Sequence, residues 1–100
     1  MGLKAAFIFV APETDARIHN SVINTPSVEL HTVGVKSYEE AVGAAKDLVQ
    51  KGITAVELCA GFGMEGVAKI KAAVQDKAVV GVVRFDNHPG FNFKSGDELF

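Results

Sequence analysis

Residues 37–63 read SYEEAVGAAKDLVQKGITAVELCAGFG and contain a helix start, a helix end, a strand and a glycine-rich corner in succession. Ser37 followed by Glu40 forms a capping box, which is typical of a helix N-terminus. Apolar residues then recur with the helical period, at positions 38, 41, 42, 45, 48 and 49, and Gly52 ends the helix. Residues 53–60 form an apolar run that one glutamate interrupts, which indicates a buried strand. A helix that leads into a buried strand favours an α/β fold.

Three further strands are predicted on either side of this stretch. Residues 4–11, KAAFIFVA, are continuously apolar, which suits a strand that is covered on both faces. Residues 28–35, VELHTVGV, alternate between apolar and polar, so we expect an edge strand with one partly wet face. Residues 78–85, AVVGVVRF, predict the last strand.

The remaining segments are a connection, a helix and a tail. Residues 12–27 contain Pro, Asp and Asn and predict a long connection with a short helix around residues 14–22. Residues 64–75 predict a second long helix. We therefore expect one α/β domain over residues 1–100, with residues 86–100 as an aromatic-rich C-terminal tail.

The order of elements predicts the architecture. Strands that alternate with helices imply right-handed crossovers and a mostly parallel sheet. The preferred fold is a small open four-stranded sheet in the flavodoxin-like order 2-1-3-4, with two or three helices. The alternative is a ferredoxin-like α+β sandwich, which would require the second strand to run antiparallel to the first.

Composition excludes several classes of protein. The 100 residues are 48% hydrophobic and 22% charged, which fits a compact globular domain and not a disordered chain. The net charge is −2 and the ten basic residues are scattered, which argues against a nucleic-acid partner. No apolar run approaches the ~20 residues of a membrane span. The single cysteine cannot form an internal disulfide, so we expect a cytoplasmic protein.

The glycines at positions 61, 63 and 66 have the G-x-G-x-x-G spacing between a predicted strand and a predicted helix. Backbone N–H groups at such a helix start suit a phosphate or a carboxylate. Asp86 follows Gly66 by 20 residues, at the end of the next strand, where a ribose-binding acid would lie. The competing interpretation is a tight corner in which glycines permit close packing. The predicted ligand-binding residues are Gly61, Phe62, Gly63, Gly66, Arg84 and Asp86.

Polar residues near this corner are candidates for catalysis. Glu57 and Arg84 lie in strands expected to be neighbours and would form either a buried ion pair or a general base beside an anion-binding arginine. Cys59 is either a nucleophile activated by the helix start or an inert core residue. His88 is either an acid–base group oriented by Asp86 or a turn residue. These three, Glu57, Cys59 and His88, are the predicted catalytic residues. A metal site is not predicted, because Cys59, Asp86 and His88 have no recognised ligand spacing.

The tail favours self-association. Phe91, Phe93, Leu99 and Phe100 lie within ten residues, an apolar density that a disordered terminus lacks. Four strands with two or three helices leave one face or edge of the sheet poorly covered. We therefore expect a homo-oligomer with the tail at its interface.

The whole chain resembles a family of small bacterial and archaeal proteins known as a domain of unknown function. The segments that carry the resemblance are AFIFVAPETD at the start, SYEEAVGAAKDLVQKGITAVELCAGFG in the middle, and VGVVRFDNHPGF with SGDELF at the end. The resemblance implies a small cytoplasmic α/β protein, and it supplies no activity, cofactor or catalytic residue.

Two functions follow from these patterns. The first is a small-molecule binding protein, with or without enzymatic activity, whose anionic ligand lies beside residues 61–66 at the carboxyl ends of the strands. The second is an oligomeric structural or regulatory module, in which the same residues form ion pairs and turns. Neither the cofactor nor the reaction can be predicted from the sequence.

Overall fold

The computed structural model describes residues 2–100, which form one mixed α/β unit around a five-stranded sheet. The strands are β1 (Leu3–Val10), β2 (Asn20–Asn24), β3 (Val28–Val35), β4 (Ala55–Leu58) and β5 (Val79–Val82). Their spatial order is β2-β3-β1-β4-β5. β3, β1, β4 and β5 run parallel to one another, and β2 is antiparallel to β3. The carboxyl ends of the four parallel strands therefore lie at one edge of the sheet.

Two helices supply the connections. Helix α1 (Tyr38–Gln50) starts at Ser37, whose side chain accepts a hydrogen bond from the Glu40 N–H. It ends before Gly52, whose φ of +94° is a conformation that glycine adopts at little cost. Helix α2 (Met64–Val74) follows β4 after a corner of five residues. Both helices begin and end close to the predicted positions.

The helices cover only one face of the sheet, which is called the helix face below. Its strand side chains include Ala6, Ile8 and Val10 of β1 and Val56 and Leu58 of β4, all buried. They form a single core with the buried faces of α1 and α2. At ~25 cal/mol per Å² of apolar area removed from water, this layer contributes most of the driving force for folding.

The opposite face, called the open face below, carries the alternate side chains. On β1 these are Leu3, Ala5, Phe7 and Phe9, because successive strand residues point to opposite sides. Phe7 lies beside Thr32 of β3. None of these residues belongs to the buried core, and no helix lies over this face among residues 2–100.

The four-stranded sheet of the sequence analysis is wrong, because the connection between β1 and β3 contains a fifth strand. Residues 20–24 pair with β3, and the helix predicted around residues 14–22 does not form. All five residues of β2 are exposed, so no hydrophobic period marks the strand. For the same reason residues 28–35 are not an edge strand, since β3 lies between β2 and β1. The parallel pairing of β3 with β1 also excludes the ferredoxin-like alternative.

No helix within residues 2–100 is both long enough and apolar enough to cross a membrane.

Candidate functional site

The corner between β4 and α2 lies at the carboxyl end of the sheet, as the glycine spacing predicts. Gly61, Phe62, Gly63 and Gly66 are all buried. Gly63 is the N-cap residue of α2, and it has no side chain with which to bind the free N–H groups of the first turn. A Cβ atom at this position would collide with the carboxylate of Asp97, so glycine is required by close packing and not by an unusual backbone angle.

Asp97, in the C-terminal tail, takes the place of the missing cap. Its carboxylate accepts hydrogen bonds from the N–H groups of Glu65 at 3.2 Å and Gly66 at 3.4 Å. A carboxylate at this end of a helix also interacts favourably with the helix dipole. The anion at the start of α2 is thus a side chain of the protein itself, and the N–H groups of Gly63, Glu65 and Gly66 already donate to Tyr38 and Asp97.

Tyr38, the first residue of α1, completes this arrangement. Its hydroxyl donates to Asp97 Oδ1 at 2.9 Å and accepts from the Gly63 N–H at 3.0 Å. Its ring stacks on Phe62 with centroids 5.5 Å apart and contacts Phe100 at 6.3 Å. A single hydroxyl therefore connects α1, the glycine corner and the tail.

The tail is folded so that Asp97 points at the helix. Residues 96–98 form a short 3₁₀ turn with its own capping box: Ser95 Oγ accepts from the Asp97 N–H, and Glu98 accepts from the Ser95 N–H. Gly96 is buried directly against the carbonyl of Gly61. The tail thus covers the carboxyl end of the sheet of its own chain.

The pKa of Tyr38 provides a direct test of this arrangement. Burial of the ring raises the pKa to about 12; the Gly63 N–H acts against this increase, and the Asp97 carboxylate adds to it. The chain contains one tyrosine and no tryptophan, so tyrosinate absorbance reports this residue alone. We expect the native protein to titrate near pH 12 and the urea-unfolded protein near ~10.

The same shift gives the pH dependence of stability. Since the pKa is higher in the folded state, the contribution of Tyr38 is complete below pH ~10 and is lost as the pH rises towards 12. Tyr38→Phe should reduce the fall in the free energy of unfolding across this interval. A native tyrosine that titrates with the unfolded value would contradict the buried Tyr38–Asp97 contact.

A small cleft lies on the other side of the corner, between α2 and the end of β5. Its volume is about 140 Å³, and it is lined by five largely apolar residues and one cation: Phe62, Gly63, Met64, Val67, Val82 and Arg84. The corner contributes the floor of this cleft through Phe62 and Gly63. The structure therefore brings three of the predicted ligand-binding residues, Phe62, Gly63 and Arg84, to one place.

Arg84 is held by Asp86. The Arg84 Nε–H donates to Asp86 Oδ1 at 2.7 Å, and both side chains are largely exposed. Within residues 2–100 the two terminal amino groups of the guanidinium have no hydrogen-bond acceptor. An exposed pair of this kind contributes little to stability, roughly 0–1 kcal/mol. It fixes the orientation of the guanidinium and leaves its forked end available.

Glu57 and Arg84 do not form the predicted ion pair; none is present between them in the described part of the chain. Glu57 is beside Gly81 in the β4–β5 register and is exposed on the open face. Arg84 lines the cleft with Val82 and Val67, on the side of the sheet that α2 covers. Residues of opposite strand parity lie on opposite faces, which separates the two charges.

Cys59 and His88 are held by local contacts. The half-buried Cys59 Sγ accepts a hydrogen bond from the Gly61 N–H at 3.2 Å. His88 Nδ1 accepts from the Gly90 N–H at 3.0 Å, and its ring stacks on Phe91 at 4.1 Å. No hydrogen bond within residues 2–100 joins either residue to Glu57 or to the other. The catalytic roles of these three residues remain predictions.

The sequence analysis missed Tyr38 and Asp97, which organise this end of the molecule. Tyr38 was assigned only to the apolar face of α1. Asp97 lies 34 positions after Gly63, too far for any local pattern to connect it to α2. The sequence contains one indirect sign that α2 is capped by a distant residue. The helix starts at a glycine, without the Ser, Thr, Asp or Asn that usually caps a helix.

Comparison with known proteins adds a family without a function. A family model described as a family of unknown function (DUF6506) matches residues 3–98. Neither the curated proteins nor the solved structures give a significant match to the chain.

Proposed function

We propose a function from the geometry alone, because this chain belongs to DUF6506, a family of unknown function. The proposal is that the protein binds a small carboxylate with an apolar body in the cleft between α2 and the end of β5. The observation that carries it is the position of Arg84 at an otherwise apolar cleft.

The lining of the cleft indicates the chemistry of the ligand. Met64, Val67 and Val82 offer aliphatic and thioether surface, and the buried Phe62 lies behind them in the lining. Arg84 is the single charged group there, and its forked terminal N–H groups match the two oxygens of a carboxylate. An apolar pocket with one well-placed polar group is the usual design of a small-molecule site.

The size of the cleft limits the ligand. Its volume of about 140 Å³ is less than half of the ~300–1,000 Å³ typical of pockets that enclose drug-sized molecules. The ligand is therefore of the size of a short-chain or single-ring monocarboxylate. A dinucleotide, which the glycine spacing suggests, is too large for this cleft.

The anion-binding group in this proposal is Arg84 and not the glycine corner. The N–H groups at the start of α2 donate to Asp97, so a second anion there would have to displace a side chain of the protein. Gly61 and Gly66 then act through close packing, while Phe62 and Gly63 line the floor of the cleft. A cytoplasmic location, which the single cysteine favours, is part of the same proposal.

The second candidate function is an oligomeric structural module without catalytic activity. The observation that favours it is the open face of the sheet, which carries apolar residues and has no covering layer within residues 2–100. This candidate does not require the cleft, so the two functions can be tested separately.

Ligand binding in the cleft is tested by titrating the protein with benzoate and, separately, with the neutral analogue benzamide. Heteronuclear NMR monitors both titrations. We expect benzoate to bind with a Kd of about 1 mM or tighter, within reach of so small a ligand. Benzamide should bind at least ~10-fold more weakly, since a hydrogen bond to a charged group contributes about 1.5–3 kcal/mol. Arg84→Gln should weaken the binding of benzoate by a similar factor.

Arg17→Gln is the matched control. Arg17 pairs with Asp15 across the same two-residue spacing, at 3.0 Å, but lies on the connection before β2. This variant should bind benzoate like the wild type. Equal binding by wild type and Arg84→Gln, or shifts confined to residues outside the cleft, would contradict the proposed function.

A further inference from the structure

The open face is the side of the sheet over which no helix of residues 2–100 lies. Seven of its side chains are large and apolar: Leu3, Phe7 and Phe9 on β1, Ile23 on β2, Val28 and Leu30 on β3, and Val79 on β5. Leu3 is 49% exposed and Ile23 is 54% exposed. We infer that a second copy of this chain packs on this face, sheet against sheet, to form a homodimer.

The position of β1 makes the exposure unusual. β1 is the central strand of the sheet, with two strands on one side and two on the other. Central strands of mostly parallel sheets are normally covered on both faces, and the apolar run over residues 5–10 of β1 has the composition of such a strand. Here Phe7 and Phe9 remain outside the buried core. The sequence of β1 therefore fits a layer that this chain alone does not supply.

The area of the face limits the size of the dimer interface. With ~4.8 Å between strands and ~3.3 Å per residue, five strands of four to eight residues present a flat area of roughly 450 Å². The accessible area of protruding side chains exceeds this flat projection. A standard interface buries about 800 Å² per subunit, so the open face together with its rim lies at the small end of stable dimers.

The near absence of charge favours a second copy over other partners. Glu57 is the one charged side chain among the open-face positions of the five strands. A face without basic residues has nothing that would attract nucleic acid or an anionic membrane. Two identical apolar faces related by a two-fold axis need no charge complementarity, and sheets pack in this way about 10 Å apart.

Glu57 indicates which part of the face forms the rim. It lies on β4 beside Gly81, where the space that a side chain would fill is open. Water can therefore reach its carboxylate from the β5 side, which avoids the cost of a buried unpaired charge. The apolar centre of the interface falls on β1 and β3, and Glu57 on β4 lies at its polar rim.

The tail is not the centre of this interface, in contrast to the expectation from the sequence. Phe91 packs on Phe100 at 5.5 Å, and Phe100 packs on Tyr38 at the carboxyl end of the same chain. Asp97 fastens the tail there. Phe91 and Phe100 thus have partners within their own subunit, whereas Phe93 and Leu99 are exposed.

Sedimentation equilibrium of the full chain tests the inference. We expect a mass of twice 10.6 kDa at about 100 µM, with dissociation on dilution. Phe7→Lys places a charge at the centre of the face and should weaken association at least ~10-fold. Leu3→Lys alters a more exposed residue of the same strand, so it provides a second test if Phe7→Lys fails to fold.

Val82→Lys is the matched control for Leu3→Lys. Val82 is 47% exposed, similar to Leu3, but it lies on the opposite side of the sheet, in the proposed cleft. It should leave the dimer intact, whereas Leu3→Lys should weaken the dimer and leave benzoate binding unchanged. The two proposals therefore fail independently. A monomeric wild type at about 100 µM, or an oligomer that both Leu3→Lys and Phe7→Lys leave unchanged, would overturn the inference.

Discussion

Replacing Asp97 with alanine is expected to lower the free energy of unfolding by about 3 kcal/mol, although the residue lies three positions before Phe100, the last residue. The carboxylate accepts hydrogen bonds from Tyr38, Glu65 and Gly66. Its loss therefore leaves the start of α2 without a capping side chain and the Tyr38 hydroxyl without its acceptor. Hydrogen bonds to a charged group contribute about 1.5–3 kcal/mol and a helix cap about 0.5–2 kcal/mol. Urea unfolding followed by circular dichroism measures the change.

Two further variants show whether the loss of stability comes from the contacts of the Asp97 carboxylate. Asp97→Asn keeps the size and one acceptor oxygen, so it should lose only part of this free energy. Asp76→Ala removes an exposed carboxylate beyond the other end of α2 and should change stability by less than ~0.5 kcal/mol. An Asp97→Ala protein as stable as the wild type would mean that the tail is not fastened to α2 in solution.

Phe62→Ala is expected to have the largest effect of any substitution in the corner, a loss of about 3–5 kcal/mol. Phe62 is 2% exposed, and it stacks on Tyr38 with an angle of 16° between the ring planes. Removing the ring loses the transfer free energy of its buried carbon atoms. It also leaves a cavity between the corner and α1. The same urea titration measures this change in the free energy of unfolding.

Phe93→Ala is the matched control for this large effect. Phe93 is 67% exposed in the tail, so the same change of side chain should cost less than ~0.5 kcal/mol. Phe62→Leu keeps most of the apolar volume and should fall between the two. A small effect of Phe62→Ala would show that the corner rearranges and is not the packed element described above.

Elements with strong local signals were predicted well. Helix α1 starts at Ser37 because a hydroxyl there binds the Glu40 N–H, and it ends before a glycine that accepts a positive φ. β1 and β4 are unbroken or nearly unbroken apolar runs of the length of a strand. Such features depend on residues within a few positions of each other, so the sequence is sufficient to place them.

Elements whose stability comes from distant partners were missed. β2 has five exposed residues and forms because β3 offers it an unpaired edge, which no periodicity within residues 20–24 reveals. The separation of Glu57 from Arg84 depends on strand parity and register, which are settled only when the strands pair.

The sequence by itself determined the elements of this protein: two capped or glycine-terminated helices, the apolar strands, and a glycine corner between β4 and α2. Only the tertiary structure decided what these elements do together. It placed Asp97 in the anion position at the start of α2, Arg84 at an apolar cleft, and the apolar side of β1 on an uncovered face. The physical reason is the range of the interactions. Caps and periodicity act over one or two turns, whereas the hydrogen bonds of Tyr38 and Asp97 at the corner join residues that are 25 to 59 positions apart.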